Sequence, residues 1–244
     1  MPPESPDNRG ISVIIPAWNE ADYLPKTIKA LQHAVAGLPL CSEIIVVDND
    51  SSDETAALAR AAGVRVVHEP EHRIASARNA GASAARGDWL LFVDADTQVT
   101  AAQLNAVCLA IKHGCAGGGA PIGFDRLDST GQRLGLAAWN ALSRHLRLAA
   151  GCFVFARADL HRAIGGFNER LYAGDELGYS RALRRAARAR GLDFRILDVS
   201  PVISSARKVE WFKPWQHALV LFTFVLFPWA GHFKRLSWFW YRRP

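Results

Sequence analysis

The chain has 244 residues, of which 50% are hydrophobic and 21% are charged, and this balance excludes an intrinsically disordered protein. Residues 1–206 carry equal numbers of acidic and basic side chains, so the formal net charge of +6 lies entirely in residues 207–244. A neutral body with a basic end excludes a general nucleic-acid-binding protein, whose basic surface would include the folded core.

The first hundred residues alternate between short apolar runs and segments with helical periodicity. The apolar runs are rich in β-branched residues, which is typical of buried strands. The segments between them carry apolar residues at every third or fourth position, which is typical of amphipathic helices. The strands are predicted at 11–15, 43–47, 64–67 and 89–93, and the helices at 22–36, 54–62 and 74–85. This alternation predicts an α/β fold with a mostly parallel sheet that helices cover on both faces.

Beyond residue 100 the pattern is less regular, and it shows neither an internal repeat nor a flexible linker. Helices are predicted near 101–113, 133–149 and 175–190, and strands near 115–124, 152–156 and 193–197. The strand region near 115–124 contains three consecutive glycines, Gly117–Gly119, whose backbone we expect to approach a bound sugar. We therefore predict a polar N-terminal lead over 1–10, one folded domain over 11–205 and a C-terminal tail over 206–244.

Acidic side chains follow several of the predicted strands directly. Glu20 lies in the loop after the first strand, Asp48 and Asp50 follow the second, and Asp94 and Asp96 follow the fourth. Because ligands collect at the carboxyl edge of a parallel sheet, we expect these carboxylates to cluster there. Unpaired carboxylates would repel one another, so the cluster favours a bound cation or a cationic partner.

Asp94-Ala95-Asp96 is the sharpest of these features. Side chains two positions apart after a strand can point to the same side, so both carboxylates can face one ligand. Hard oxygen ligands suit Mg²⁺ or Mn²⁺, which bridge phosphate oxygens. The alternative interpretation of so short a pattern is a solvated turn whose aspartates cap the following helix.

Five sequence blocks together resemble a family 2 glycosyltransferase of the GT-A type, from residue 11 to about residue 190. In chain order they are ISVIIPAWNE at 11–20, IIVVDNDSSD at 44–53, ARNAG at 77–81, GDWLLFVDAD at 87–96, and GGFNE at 165–169 followed by GDELGY at 174–179. Trp18 stands where the family usually has Tyr, and Asn49-Asp50 stands where it usually has Asp-Gly. The resemblance implies an inverting enzyme that moves a sugar from a nucleotide-diphospho sugar to an acceptor hydroxyl, assisted by Mg²⁺ or Mn²⁺.

The resemblance also implies a role for each matching residue. Asp96 would bind the divalent cation, Asp94 would contact the ribose or a metal-bound water, and Asp48 would contact the base. Arg78 would contact the nucleotide and close its pocket. The full set of implied nucleotide-sugar ligands is Pro16, Ala17, Glu20, Asp48, Arg78 and Asp94.

The acidic pair Asp175-Glu176 matches the position of the family's general base, which takes the proton of the acceptor hydroxyl. The family usually has Glu-Asp here, and alignment on Tyr179 implies that Glu176 is the base, with Asp175 the close second. A single displacement with one base implies inversion of configuration at the sugar. Taken without the resemblance, acids at this position are also typical of the first turn of a helix, where the helix dipole favours them.

The tail combines basic residues with an uncharged, aromatic-rich segment over 218–231. That segment is too short to cross a bilayer as one helix, because a full span needs about 20 apolar residues. Flanking basic and Trp residues predict that residues 211–243 lie in the headgroup layer of a membrane, although packing on the body is the alternative. No secretory signal is visible, so we expect a protein on the cytoplasmic face. The apolar tail makes a lipid-linked or apolar acceptor plausible.

Two other classes of protein remain open at this point. Sugar-nucleotide pyrophosphorylases share the strand order and the acidic edge, but they usually carry a Gly-rich phosphate loop after the first strand, which residues 16–20 do not provide. A non-catalytic, membrane-bound scaffold that keeps the fold is the second alternative. His145, Arg207 and His217 are weaker candidates for contacts to a diphosphate or a metal.

Overall fold

The computed structural model describes residues 10–207 and 227–237, together with residues 211, 216, 219 and 223. The strands are β1 Ile11–Ala17, β2 Ser42–Asp48, β3 Arg65–His68, β4 Trp89–Val93, β5 Thr97–Gln98, β6 Cys115–Gly119, β7 Ile122–Phe124, β8 Phe153–Arg157, β9 Asp193–Ile196 and β10 Val202–Ser204. The helices are α1 Leu24–Val35, α2 Thr55–Ala61, α3 Ile74–Ala84, α4 Ala101–Lys112, α5 Thr130–Leu146, α6 Ala158–Ala163 and α7 Asp175–Ala189, and a 3₁₀ turn covers Pro228–His232.

Seven strands form the main sheet in the order β3-β2-β1-β4-β8-β6-β9. Neighbouring strands run parallel except β8, which is antiparallel to both β4 and β6. The predicted α/β fold with a mostly parallel sheet is therefore confirmed. Parallel order brings the ends of β1, β2 and β4 to one edge, where the acidic residues follow them.

Each central strand is buried on both faces, because successive side chains point to opposite sides of the sheet. In β1, Val13 and Ile15 join one hydrophobic cluster with α1 and α4, whereas Ile14 joins the other with α3, α6 and α7. All three side chains are fully buried. This two-sided burial explains why the strands read as continuous apolar runs.

The early elements were predicted to within one or two residues, and the later ones less closely. Helix α5 begins at Thr130 rather than near 133, because Ser129 and Gln132 form a capping box at its start. The predicted strand region at 115–124 is two strands, β6 and β7. Strands β5 and β10, of two and three residues, and the six-residue α6 were not predicted. β5, β10 and β7 form a second sheet beside the acidic edge.

The predicted membrane-interfacial segment, residues 211–243, lies largely outside the described residues. Across residues 10–207 and the described positions beyond them, no helix is long and apolar enough to cross a bilayer. The 3₁₀ turn packs on the body, because the backbone N–H of Tyr172 donates to the carbonyl of Gly231 at 2.7 Å. Part of the tail therefore touches the loop before α7.

Candidate active site

Two cavities meet at the acidic edge of the main sheet. The larger has a volume of about 810 Å³ and the smaller about 130 Å³. Both are lined by Ile74, Asp94, Asp96 and Tyr172, so these residues form a shared wall. The two aspartates follow β4, as the sequence predicted.

The smaller cavity is built mainly from the loop after β1. Of the nucleotide-sugar ligands implied by the sequence, it brings together Pro16, Ala17, Glu20 and Asp94, with the implied metal ligand Asp96 beside them. Trp18 and His72 also line it, with their ring centroids 5.5 Å apart. An aromatic side chain at residue 18 therefore borders the cavity, even though it is Trp rather than the family's usual Tyr.

Asp48 is buried beside the smaller cavity, and its neighbour Asn49 is the residue that lines it. The Asp48 carboxylate accepts a hydrogen bond from the backbone N–H of Ser51 at 3.2 Å. Asn49 donates from its side chain to the carbonyl of Glu69 at 2.9 Å, which ties the loop after β2 to the one after β3. Asp50 has a φ of 61°, so it adopts the left-handed conformation that Gly would otherwise provide.

Arg207 carries positive charge into the smaller cavity. Its guanidinium donates to both carboxylate oxygens of Glu20, at 2.6 and 2.7 Å, and lies 2.9 Å from a carboxylate oxygen of Asp96. It also lies over the rings of Tyr23 and Trp211, at 4.5 and 5.6 Å. Burial opposes the charge of Arg207, but hydrogen bonds to Glu20 and the charges of Asp96 and Glu20 outweigh burial and raise its pKa.

This ion-pair network gives the clustered carboxylates the cationic partner that their repulsion requires. Within the described part of the chain, no three His, Cys, Asp or Glu side chains are grouped as a protein-only metal site would need. The sequence singled out Arg207 only as a weak diphosphate candidate. Its pairing with Glu20 was not predicted, because the two residues are separated by 187 positions and no local pattern connects them. His217 lies outside the described residues.

Arg78 joins the start of α7 to the end of β4 beneath the larger cavity. Its guanidinium lies 2.9 Å from Asp175 and 3.2 Å from Asp94, and it donates to the carbonyl of Gly151 at 3.0 Å. Only 2% of the Arg78 side chain is exposed. It reaches this position because α3 packs closely on the sheet through Gly81, where any Cβ would overlap Ile14 and Val47. Arg78 lines the larger cavity and not the smaller one.

Asp175 and Glu176 begin α7 and have different environments. Both line the larger cavity, but Asp175 is buried against Arg78, whereas Glu176 is less deeply buried. Burial and the charge of Asp175, opposed by Arg78, raise the pKa of Glu176 to about 7. Glu176 and Asp96 line the same cavity, so the carboxylates that the sequence assigned to base and metal share one cleft.

The far part of the larger cavity is apolar, which the sequence did not predict. β7, the loop that follows and α5 contribute five apolar side chains, together with the polar Ser129 and Gln132. The apolar ones are Ile122, Phe124, Leu127, Leu136 and Trp139. Asn140 attaches α5 to the second sheet by accepting a hydrogen bond from the backbone N–H of Ile122 at 3.0 Å and donating to its carbonyl at 2.8 Å. One cavity thus joins an acidic end to an apolar wall.

The sequence model of the family described as Glycosyl transferase family 2 matches residues 12–165. The chain belongs to glycosyltransferase family 2. An uncharacterized glycosyltransferase of Mycobacterium tuberculosis (strain ATCC 25618 / H37Rv) is 33% identical over 104 residues, covering 43% of the chain and 44% of that relative. The chain thus spans less than half the length of the curated relatives it matches.

Solved structures of family 2 type share the fold over most of the chain. A mannosyltransferase from Pyrobaculum calidifontis, in complex with GDP-Man and Mn²⁺, aligns with a TM-score of 0.63 and 18% identity over 93% of the chain and 64% of that structure. Glucosyl-3-phosphoglycerate synthase from Mycobacterium tuberculosis, in complex with Mn²⁺, uridine-diphosphate and phosphoglyceric acid, aligns with a TM-score of 0.59 and 23% identity over 93% of the chain and 78% of that structure. Because these sequence identities are below 25%, the structural similarity is evidence for the fold alone. It confirms the GT-A architecture.

Proposed function

We propose that this family 2 chain is an inverting glycosyltransferase that moves a sugar from a nucleotide-diphospho sugar to an acceptor hydroxyl. One observation carries the proposal: Asp94 and Asp96 form a wall between the smaller cavity and the larger one, whose lining includes Glu176. A donor in the smaller cavity would direct its sugar past that wall, toward Glu176. Neighbouring structures solved with GDP-Man or uridine-diphosphate support a nucleotide-sugar donor as a class.

The smaller cavity and its shared wall with the larger one would together bind the nucleoside diphosphate, because about 130 Å³ alone is less than a usual ligand pocket. Pro16, Ala17, Glu20 and Asp94 would contact it, and the ring of Trp18 would lie beside the base. Asp48 would act indirectly, because its carboxylate accepts a hydrogen bond from Ser51 and so fixes the loop in which Asn49 borders the base. A diphosphate adds negative charge next to three carboxylates, so the positive charge of Arg207 would help to retain it.

Mg²⁺ or Mn²⁺ fits the residues present. These ions bind proteins through one or two carboxylates and complete their coordination with water and substrate phosphates, so Asp96 with Asp94 two positions away is a sufficient donor set. Asp96 would hold the ion directly, and Asp94 would do so through water. When bound, a divalent ion supplies neutralisation of the charge on the leaving diphosphate.

Glu176 would act as the general base. The oxygen of the acceptor hydroxyl attacks the anomeric carbon, and the proton of that hydroxyl passes to a carboxylate oxygen of Glu176. The bond from that carbon to the diphosphate oxygen breaks, and its electron pair leaves with the nucleoside diphosphate. Because attack occurs opposite the leaving group, one displacement inverts the configuration. General-base assistance contributes about 10²–10⁴-fold to the rate of such steps.

Release of nucleoside diphosphate from UDP-, GDP- and dTDP-sugars in the presence of Mn²⁺ tests this function. Asp96→Asn and Glu176→Gln are each expected to reduce release by about 10²-fold or more. Asp198→Asn is the matched control, because that carboxylate is 100% exposed. Activity that survives both site changes would contradict the proposal and leave the scaffold alternative. The pyrophosphorylase alternative is not favoured by membership of family 2.

We also propose that the tail attaches the protein to the cytoplasmic face of an anionic membrane. Lys234 and Arg235 are exposed next to the turn that packs on Tyr172. Reversing both charges, in Lys234→Glu with Arg235→Glu, is expected to reduce co-sedimentation with vesicles that contain phosphatidylserine. Equal co-sedimentation of the variant and the unmodified chain would contradict this assignment.

A further inference from the structure

The larger cavity has two chemically different ends. Asp94, Asp96, Asp175 and Glu176 line one end, and side chains of β7, α5 and the loop between them line the other. A cavity of about 810 Å³ is of the size that holds an organic ligand of drug-like dimensions. A ligand that fills this cavity therefore needs one part that is compatible with carboxylates and another part that is apolar.

The acidic end disfavours an anionic occupant. Among the described residues that line the cavity, Arg78 is the one cationic side chain, against four carboxylates. Arg78 is already paired with Asp175 and Asp94 at 2.9 and 3.2 Å. Arg207, 2.9 Å from Asp96, is likewise paired with both Asp96 and Glu20. A cation at Asp96 would be matched by the charge of the donor diphosphate. The carboxylates near Glu176 therefore outnumber the cations and oppose a phosphate group there, whereas a neutral hydroxyl would donate a hydrogen bond to a carboxylate.

The apolar wall disfavours a polar occupant. Leu136 and Trp139 lie one helical turn apart on α5, and Phe124 and Ile122 of β7 line the same cavity. Displacing water from such a wall is favourable for a hydrocarbon, at roughly 25 cal/mol per Å² of apolar surface. Sugar hydroxyls would lose hydrogen bonds to water there, because most of these wall side chains offer none in return.

We propose that β7 and α5 form an acceptor subsite for a neutral alcohol with an apolar body, such as an isoprenoid or other long-chain alcohol. The hydrocarbon lies against Ile122, Phe124, Leu127, Leu136 and Trp139, and the hydroxyl lies at Glu176. The assignment rests on the proposed transferase function, and it specifies the acceptor as uncharged. It separates this chain from the relative solved with phosphoglyceric acid, an anionic ligand.

Equilibrium dialysis of the full chain against radiolabelled farnesol, farnesyl phosphate and maltose tests the subsite. Farnesol and farnesyl phosphate share a hydrocarbon chain and differ in the charge of the head group. Farnesol is expected to bind, and the dissociation constant of farnesyl phosphate is expected to be at least about tenfold higher than that of farnesol. Equal or tighter binding of farnesyl phosphate, binding of maltose alone, or no binding of farnesol would each overturn the assignment.

Variants locate the binding on α5. Leu136→Asp and Trp139→Ala are expected to weaken farnesol binding by about tenfold, and Trp139→Ala covers the case in which Leu136→Asp fails to fold. Leu134→Asp is the matched control, since Leu134 lies on the same helix, is 66% exposed and does not line the cavity. Equal weakening by the control would show adsorption to the helix surface and overturn the subsite.

A parallel measurement separates this proposal from the transferase proposal. Without an acceptor, the unmodified chain would release nucleoside diphosphate by hydrolysis of the donor. With farnesol present, transfer of the sugar to farnesol is expected to accelerate release of nucleoside diphosphate. A chain that hydrolyses donor but neither binds nor responds to farnesol overturns the subsite alone. A chain that binds farnesol through Trp139 but hydrolyses no donor supports the subsite and contradicts the transferase function.

Discussion

Arg207 donates two hydrogen bonds to the carboxylate of Glu20, at 2.6 and 2.7 Å, although the two residues are 187 positions apart in the sequence. The side chains of both residues are more than nine-tenths buried. Because the same guanidinium also pairs with Asp96, this contact joins the loop after β1, the loop after β4 and the start of the tail. Ion pairs therefore connect the three segments that border the smaller cavity.

Arg207→Gln is expected to destabilise the protein by about 3 kcal/mol, since it removes a buried cation from Glu20 and Asp96, whose side chains are only 8% and 11% exposed. Urea denaturation followed by circular dichroism measures the change. Arg144→Gln is the control, because Arg144 is 51% exposed and its partner Asp198 is fully exposed. A midpoint for Arg207→Gln equal to that of the control would show that the network contributes nothing to stability.

Asp175 and Glu176 are expected to differ in what their loss affects. Asp175→Asn removes the buried partner of Arg78 and should lower the free energy of unfolding by about 3–5 kcal/mol. Glu176→Gln removes the proposed base and should abolish transfer while leaving stability unchanged or raised. Denaturation and activity are measured on both variants. The reverse pattern would assign the base to Asp175.

The rate of transfer should depend on the protonation of Glu176. Its pKa is raised to about 7 by burial and by Asp175, so kcat/KM should rise with pH through a limb near pH 7. Glu176→Gln should remove that limb from whatever activity remains. A pH profile measured at saturating Mn²⁺ tests this, and an acidic limb that persists in the variant would assign it to another group.

The same shift predicts the sign of a stability effect. Between about pH 4.5 and about pH 7 the folded state holds a proton on Glu176 that the unfolded chain has released. Ionisation of Glu176 therefore lowers the free energy of unfolding as pH rises through this interval. Glu176→Gln should make the free energy of unfolding less dependent on pH there. Urea midpoints at pH 5 and pH 7.5 for both proteins provide the measurement. A steeper fall in the variant would contradict the sign.

The loop after β2 offers a test of backbone conformation. Because Asp50 has a φ of 61°, Asp50→Gly should be nearly neutral, whereas the β-branched Asp50→Val should cost about 1–3 kcal/mol. Thermal denaturation compares the two variants. Equal stabilities would mean that the left-handed conformation is not required at this position.

Short-range patterns were sufficient to predict the parts of the fold that are buried on both sides. β1, β2 and β4 each contain an uninterrupted apolar run, so their positions and the acidic residues that follow these runs were predicted correctly. The glycines of β6 were correctly predicted as a strand, whereas the approach of their backbone to a bound sugar stays a prediction. Gly117 and Gly119 are absent from the described lining of both cavities, and a Cβ on either would come within 2.7 Å of Leu183 or Ala149. Their small size serves packing.

Features that depend on distant residues were not predicted. Strands β5 and β10 are too short to show periodicity, yet with β7 they place Ser204 at 3.2 Å from Asp96. The apolar wall depends on which face of α5 turns inward, and the periodicity of that helix does not specify its neighbour. Arg207 belongs to this class as well, since only the folded chain brings it to Glu20.

The central claim is that Asp96 and its neighbours bind an activated sugar with the help of a divalent cation. A thermal-shift titration of UDP-, GDP- and dTDP-sugars, with and without Mn²⁺, tests it on the unmodified chain and on Asp96→Asn. One nucleotide class is expected to stabilise the unmodified chain, Mn²⁺ is expected to increase that stabilisation, and Asp96→Asn is expected to lose the increase. Stabilisation by no donor, or an equal response to Mn²⁺ in Asp96→Asn, would contradict metal-assisted donor binding at Asp96.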